Sequence, residues 1–162
     1  MIILGIDPGM AATGFGVIEK RGSDAHFLEA GVITTPAGLD LPARLQMINL
    51  GLHQILDQYE PDHLVTEALF FGKNVSSAIG VGRTLGIVLL AAAQRGIPWR
   101  EYKPSEVKLA VAGYGNADKT QVQLMVQRLL KLKDVPKPDH AADALALAIC
   151  HAHSLAITSL GR

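Results

Sequence analysis

Three acidic residues, Asp7, Glu67 and Asp143, stand where the sequence predicts the ends of structural elements. Asp7 closes the apolar run "MIILGID", and Glu67 closes the shorter run "HLVTE". A carboxylate at the end of a buried strand is costly unless it is paired or bound to a cation. Carboxylates that converge raise one another's pKa, and a hard divalent cation such as Mg²⁺ or Mn²⁺ relieves the repulsion. We therefore predict an oxygen-rich metal site; the alternative is three unrelated surface acids.

The stretch "PDHAADALALAI" (138–149) places further polar groups at the start of an alanine-rich helix. Asp139 follows Pro138 and is predicted to be the helix N-cap. His140 is three residues before Asp143, so the two side chains share a helix face. His140 could ligate Mn²⁺ well and Mg²⁺ less readily, or it could move a proton on water or phosphate. A surface histidine without a role is the third alternative.

The elements that must position these residues follow from apolar periodicity. Strands are predicted at 1–7, 13–19, 26–35, 61–67 and 96–102, and helices at 41–59, 75–95, 104–112, 118–132 and 139–156. Tight turns between the first three strands predict an antiparallel meander. The order βββαβαβααα predicts one α/β domain over residues 1–162, with a five-stranded mixed sheet flanked by helices. If the first and fourth strands are neighbours, Asp7 and Glu67 face each other.

Composition excludes several classes of protein. With 49% hydrophobic and 19% charged residues, the chain is typical of a globular domain. Cys150 is the single cysteine, which excludes a disulfide framework and suits a reducing cytoplasm. No uninterrupted apolar run reaches membrane-span length, and we expect no signal peptide. The net charge is zero, yet residues 103–137 carry seven basic and three acidic side chains, which predicts a basic surface beside an acidic pocket.

Four stretches of the chain closely resemble the RuvC family of Holliday junction resolvases: "GIDPGMAATGFGVI", "VTEALFFGKN", "VKLAVAGYGNADKTQV" and "HAADALALAICH". The resemblance runs from residue 1 to about residue 153. It implies a ribonuclease-H-like fold and a crossover junction endodeoxyribonuclease that resolves four-way DNA junctions in homologous recombination and repair. The expected products of its paired symmetric nicks carry 5′-phosphate and 3′-hydroxyl ends. A homodimer, a branch-migration motor complex as partner, and a cytoplasmic location without membrane contact are also implied.

The same resemblance assigns roles to individual residues. It implies that Asp7, Glu67, His140 and Asp143 are catalytic and hold two Mg²⁺ ions per active site, with Mn²⁺ as an alternative, about 4 Å apart. Many members of the family carry an acid at the position of His140, and others carry histidine. We therefore expect His140 to complete the site, either as a ligand or as a proton-transfer group.

The resemblance also implies a DNA-binding set. Phe70 is expected to probe the junction by stacking or wedging, although core packing is the usual fate of a phenylalanine. Lys73, Lys108 and Lys119 are expected to contact phosphates, although any one of them could be a solvated lysine without a role. Arg83 could serve DNA or a dimer interface. It lies in a predicted helix interrupted by glycines at 80, 82 and 86, which indicate a face closely approached by the sheet or by another subunit.

Two other functions compete with a junction nuclease. The turn "DPGMAATG" is also similar to the phosphate loop of actin-like ATPases, but those enzymes need two domains and a second glycine-rich loop that this sequence lacks. The other alternative is a junction-binding module that does not cut DNA. The acids at 7, 67 and 143 argue against it, because binding alone does not need them.

Overall fold

The computed structural model describes residues 1–69 and 75–160, with the backbone alone at residues 75 and 157–160. All the predicted strands and helices are confirmed, with shifts of a few residues at their ends. The elements are β1 (Ile2–Asp7), β2 (Ala12–Arg21), β3 (Asp24–Thr34), α1 (Leu41–Tyr59), β4 (His63–Glu67), α2 (Val75–Gln94), β5 (Trp99–Tyr102), α3 (Pro104–Ala112), α4 (Lys119–Leu129) and α5 (Asp139–Leu160).

The five strands form one mixed sheet in the order β3-β2-β1-β4-β5. The first three strands pair antiparallel, as the predicted meander requires, and β4 pairs parallel with both β1 and β5. In the register of β1 and β4, Ile6 pairs with Thr66. Asp7 and Glu67 are therefore the next residues of two neighbouring strands, at the same edge of the sheet.

Helix α5 lies directly against β1 and β2 because glycines on the two strands let the helix backbone approach closely. A Cβ atom added to Gly5 would be 2.0 Å from the carbonyl oxygen of Ala144, and one added to Gly14 would be 2.1 Å from that of His140. No larger side chain fits at either strand position. The glycines thus bring the first turn of α5 beside the end of β1.

The other face of the sheet is covered by α1 and α2. Its buried cluster is apolar and includes Leu4, Ile6, Phe15, Val17, Leu52, Leu56, Leu64 and Val88. Helices therefore cover both faces of the sheet, and the carboxyl ends of β1 and β4 lie together at one edge of it.

Helix α2 is more apolar than its uninterrupted runs indicate. Over residues 76–94 it is long and apolar enough to cross a membrane by length and composition, and a third of that stretch is buried. The expectation that no segment reaches membrane-span length therefore holds for continuous apolar runs but not for average composition. Its exposed large side chains include Ile79 and Leu90.

Candidate active site

Asp7 and Glu67 are held at the rim of the sheet by the strands that precede them. Both are the last residues of their strands, β1 and β4, and both line a cleft of about 320 Å³. Asp143 reaches the same cleft from the second turn of α5. The predicted convergence of acids from three separate elements is therefore present.

His140 contacts Asp7 directly. Its Nδ1 atom lies 2.7 Å from Asp7 Oδ2, a hydrogen-bond distance. The side chain of His140 is 48% exposed and that of Asp7 is 19% exposed, so the pair is open to solvent from the histidine side. Of the alternatives for His140, a surface histidine without a role fits least well with this contact.

Asp7, His140 and Asp143 form a compact set of candidate metal ligands. Their ligand atoms all lie within 4.8 Å of one another. Glu67 lines the cleft but is not a member of this set within the described residues. The structure thus brings three of the four predicted ligands together and places the fourth nearby.

The electrostatics of the cleft are unfavourable to its carboxylates. Burial raises the pKa of Glu67, and the negative charges of Asp7 and Asp143 raise it further. Burial likewise raises the pKa of Asp143; Lys119 opposes this shift, and Asp7 adds to it. These carboxylates are therefore costly to ionise without a cation.

Two lysines provide part of the missing positive charge. Lys119, the first residue of α4, donates a hydrogen bond from Nζ to Asp143 Oδ2 at 3.1 Å and forms an ion pair with Asp139 at 3.3 Å. Burial lowers the pKa of Lys119, but its bonds to Asp143 and Asp139 outweigh that effect and raise it. Lys108 on α3 lines the cleft and acts to lower the pKa of Glu67. Both lysines therefore interact with the carboxylates of the cleft, whereas the sequence predicted only contacts with DNA for them.

The prediction that Asp139 is the N-cap of α5 is wrong. The helix begins at Asp139 itself, and the carbonyl of Pro138 accepts the backbone N–H groups of Ala141 and Ala142 at 2.9 and 3.4 Å. The Asp139 carboxylate instead accepts a hydrogen bond from Gln123 Nε2 at 3.1 Å. Gln123 and Lys119 hold the pKa of Asp139 below its ordinary value, so the residue joins α5 to α4.

The donor set fits a hard divalent cation. Carboxylate oxygens are the ligands preferred by Mg²⁺ and Mn²⁺, and an imidazole is a better ligand for Mn²⁺ than for Mg²⁺. The repulsion that raises the pKa of Glu67 and Asp143 is the repulsion that a bound cation removes. Asp7, Glu67, His140 and Asp143 are accordingly the residues that could hold metal.

Two predicted residues are not among those that the structure describes, and two features of the site were not predicted. Phe70 and Lys73 lie outside the described residues, so their predicted DNA contacts remain predictions. The role of Gly5 and Gly14 in seating α5 was missed, although an isolated glycine within a strand pattern is a recognised sign of close backbone approach. The bonds of Lys119 to the carboxylates were also missed, because sequence spacing does not reveal contacts between separate helices.

Comparisons with known proteins identify the family. A family model described as crossover junction endodeoxyribonuclease RuvC matches residues 3–151. Proteins of that name from Chloroflexus aggregans and Heliobacterium modesticaldum are 54% and 53% identical to this chain, covering 95% and 96% of it and 94% and 96% of their own lengths.

Solved structures give the same result for the fold. The structure of T. thermophilus RuvC in complex with a Holliday junction substrate matches with a TM-score of 0.92 and 38% identity, covering 98% of this chain and 97% of that one. The yeast mitochondrial Holliday junction resolvase, with a TM-score of 0.64 and 15% identity, covering 93% of this chain and 78% of its own, shares the fold alone.

Proposed function

The chain belongs to the RuvC family of crossover junction endodeoxyribonucleases, with its ribonuclease-H-like fold, and from that premise we propose how its cleft cuts DNA. The chain is a nuclease that resolves Holliday junctions. We assign the catalytic and metal-binding roles to Asp7, Glu67, His140 and Asp143. The observation that carries this assignment is the convergence of Asp7, His140 and Asp143, whose ligand atoms lie within 4.8 Å of one another.

The proposed cofactor is a pair of Mg²⁺ ions per active site, with Mn²⁺ as a substitute. The chemistry supplied by bound cations is activation of a water and stabilisation of charge on the departing 3′ oxygen. The residues of the chain provide the ligands, and the hydrogen bond from His140 to Asp7 fixes the orientation of both side chains. The expected products are symmetric nicks with 5′-phosphate and 3′-hydroxyl ends.

Lys108 and Lys119 are proposed to serve both the carboxylates and the DNA. Lys119 forms ion pairs with Asp143 and Asp139, and Lys108 lines the same cleft. Cations bound by Asp7, Glu67, His140 and Asp143 would take over part of the charge compensation, which would leave both ammonium groups better able to contact a phosphate of the substrate. Phe70 and Lys73 are proposed to contact the junction as well. The biological setting that we propose is homologous recombination and repair in the cytoplasm, with a branch-migration motor complex as partner.

The test of the catalytic assignment is a cleavage assay. Purified protein is incubated with a synthetic four-way junction, with Mg²⁺, with Mn²⁺ and with EDTA, and the products are sized on denaturing gels. We expect paired symmetric nicks only with metal. Asp7→Asn should lower the cleavage rate by about 10³-fold or more while junction binding is retained, because the carboxylate holds metal rather than DNA.

The matched control is Asp24→Asn, which removes an exposed carboxylate at the start of β3, away from the cleft. It should cut like the wild type. Junction binding without any metal-dependent cutting in the wild type would reduce the chain to a binding module. Loss of both folding and binding in Asp7→Asn would make Asp7 a structural residue.

The proposed homodimer uses one face of α2, which we call the α2 face: Ile79, Arg83, Gly86 and Leu90. These residues are spaced by four, three and four, so they lie in one stripe. Ile79 is 47% and Leu90 59% exposed, and a Cβ at Gly86 would meet nothing within 4 Å. Gly86 therefore serves no close contact with the described residues of its own protomer, which favours approach by a second subunit. A two-fold dimer would present two cutting sites to the symmetric strands of a junction.

The dimer is tested by placing a charge on the α2 face. Leu90→Glu should convert the protein to a monomer in sedimentation experiments, because a carboxylate in an apolar interface is costly to bury. Leu124→Glu, on the 41% exposed Leu124 of α4, is the matched control and should leave the mass unchanged. A wild-type protein that is monomeric at all concentrations would contradict the proposal. Partition of the wild type into lipid vesicles would indicate instead that α2 faces a membrane.

A further inference from the structure

A second groove lies beside the active site. It has a volume of about 520 Å³ and is lined by the turn after β1, the start of α1 and the first half of α2. We call it the arginine groove and define it by Gly9, Ala12, Arg44, Gly80, Arg83 and His140. Its lining includes several residues with small side chains, which leave the floor open to an extended chain.

The arginine groove adjoins the catalytic cleft at the contact between His140 and Asp7. His140 lines the groove, and its ring nitrogen is 2.7 Å from Asp7, which lines the cleft. The bond between these two side chains therefore forms the boundary between the two spaces. A strand that runs from the carboxylates past His140 would therefore enter the groove, whereas Lys108 and Lys119 line the cleft and not the groove.

The charge of the groove is positive. Arg44 and Arg83 line it, and no Asp or Glu does so among the described residues. Neither arginine forms an ion pair with a carboxylate in the described part of the chain, unlike Arg21 and Arg95, which bind Glu19 and Asp57. Two guanidinium groups without carboxylate partners are available to an anion.

Arg44 is held in place by a chain of hydrogen bonds through Thr35. Its Nε atom donates a hydrogen bond to Thr35 Oγ1 at 2.9 Å, and Thr35 Oγ1 donates to the carbonyl of Met10 at 2.6 Å. Thr35 is buried, with 6% of its surface exposed. This chain of bonds uses only Nε, so the two Nη groups remain to form a bidentate contact, the geometry in which guanidinium recognises phosphate.

The lining chemistry points to the DNA backbone rather than to bases. No Phe, Tyr or Trp lines the groove within residues 1–69 and 75–160, so no stacking platform is present there. Arginines contact phosphates whatever the sequence. The groove is therefore suited to holding a strand by its phosphates.

We propose that the arginine groove binds the phosphates of the cleaved strand on one side of the cut, with Arg44 as the fixed contact and Arg83 as the second. This inference rests on the proposed active site, because only a strand that is cut beside Asp7 and His140 would continue into the groove. Arg83 is one of the four residues of the α2 face, and this proposal gives it a second role, in binding DNA.

The experiment measures junction binding and cutting for Arg44→Ala and Arg83→Ala. Each should weaken junction affinity roughly 10-fold near physiological salt and reduce the slope of log affinity against log salt by about 1. Arg21→Ala removes an exposed arginine at the end of β2, outside the basic stretch 103–137, and is the matched control, with no change expected in either quantity. Sedimentation of each variant verifies that the assembly is the same as in the wild type.

A second measurement locates the contact. Junctions are prepared with one phosphate at a time replaced by a neutral methylphosphonate, on each side of the cut. We expect one position in the cleaved strand, within a few nucleotides of the cut, where the replacement weakens the wild type but not Arg44→Ala.

The outcomes separate the groove from the active site. If the wild type cuts with metal but both variants keep its affinity and salt slope, the groove proposal is overturned while the active site stands. If Arg44→Ala loses affinity without a change in salt slope and without a matching methylphosphonate, Arg44 only supports the loop through Thr35, and the proposal is also overturned. A wild type that binds junctions but never cuts contradicts the proposed active site instead.

Discussion

Two histidines on α5, His140 at its start and His151 three turns later, are in opposite environments. At its start, His140 is half exposed and is bonded to Asp7 at the mouth of a carboxylate cleft. Three turns later, His151 is buried with 2% of its surface exposed. Its Nδ1 atom is 2.7 Å from the hydroxyl of Tyr102, and its ring lies 4.8 Å from the ring of His63. The same residue type on one helix is thus a candidate metal ligand at position 140 and a core residue at position 151.

Burial acts on both regions, but on groups of opposite charge. It raises the pKa of Glu67 and Asp143 in the cleft, and it lowers the pKa of His151 to about 4. In both cases burial disfavours the charged form of the group. The difference is in what relieves the cost: the cleft can recruit cations, whereas the core simply keeps His151 neutral. The pH dependence of stability should therefore have opposite signs for the cleft carboxylates and for His151.

The largest expected effect concerns the site end. His140→Ala should lower the cleavage rate by roughly 10²-fold in both Mg²⁺ and Mn²⁺, because a ligand to the metals is lost. His140→Asp should remain within about 10-fold of the wild type in Mg²⁺, because a carboxylate oxygen suits that ion at least as well as an imidazole does. Single-turnover cleavage of a four-way junction measures both.

His53→Ala is the control for His140→Ala, since His53 lies on α1 and contacts Arg95 rather than the cleft. Equal inactivity of His140→Asp and His140→Ala in both metals would indicate proton transfer by His140 instead of metal binding. Wild-type rates in both variants would break the comparison, because the two histidines would then both be structural.

The sequence was sufficient for the elements and for part of the site. Apolar periodicity predicts α1 well because its buried residues, Ile48, Leu52, Ile55 and Leu56, form a single stripe. Asp7 and Glu67 are recognisable because each is an acid at the end of an apolar run. The contacts of Asp139 were beyond it: a Pro-Asp pair at a helix start predicts a cap, but the capping acceptor is the Pro138 carbonyl and the carboxylate is drawn to Gln123 on α4. Pairing of this kind depends on how helices dock.

The arginine groove was missed for the same physical reason. Arg44 and Arg83 are on different helices, and nothing in their spacing indicates that they line one space with His140. The contact of the buried His151 with Tyr102 is of the same kind, because Tyr102 comes from a separate strand. Local patterns therefore predict what an element is, and tertiary contacts decide what its side chains do.

The next effect concerns the buried His151. His151 has a lowered pKa of about 4, so between pH 6.5 and 4 the unfolded chain binds a proton that the folded chain refuses, and stability falls as the pH falls. Between pH 7 and pH 5 this linkage amounts to about 2 kcal/mol. His151→Phe lacks the proton site, so its stability relative to the wild type should rise by that amount over the same range. Urea unfolding at a series of pH values measures it.

His26→Phe serves as the control, because His26 is exposed on β3 and its loss should leave the pH profile unchanged. At neutral pH His151→Phe should itself be less stable than the wild type, by about 1 kcal/mol, through loss of the hydrogen bond with Tyr102. A pH profile parallel to that of the wild type would show that His151 is protonated equally in the folded and unfolded chains, and the contrast between the two ends would disappear.

The smallest effect tests the cost stored in the cleft. Glu67 has a raised pKa in the metal-free protein, so its contribution to stability falls as the pH rises from 4.5 through the raised value, and it stays unfavourable above that value. Glu67→Gln removes the charge and should raise the melting temperature in EDTA at neutral pH by a few degrees, since about 1 kcal/mol corresponds to roughly 2–4 °C in a chain of this size. Glu101→Gln, at an exposed acid on β5, should not raise the melting temperature.

Added Mn²⁺ should stabilise the wild type more than Glu67→Gln and so reverse the order of their melting temperatures, because the carboxylate that is costly alone is the one that gains from the cation. If Glu67→Gln is no more stable than the wild type in EDTA, Glu67 carries no penalty, and its place in the metal set would have to rest on cleavage kinetics.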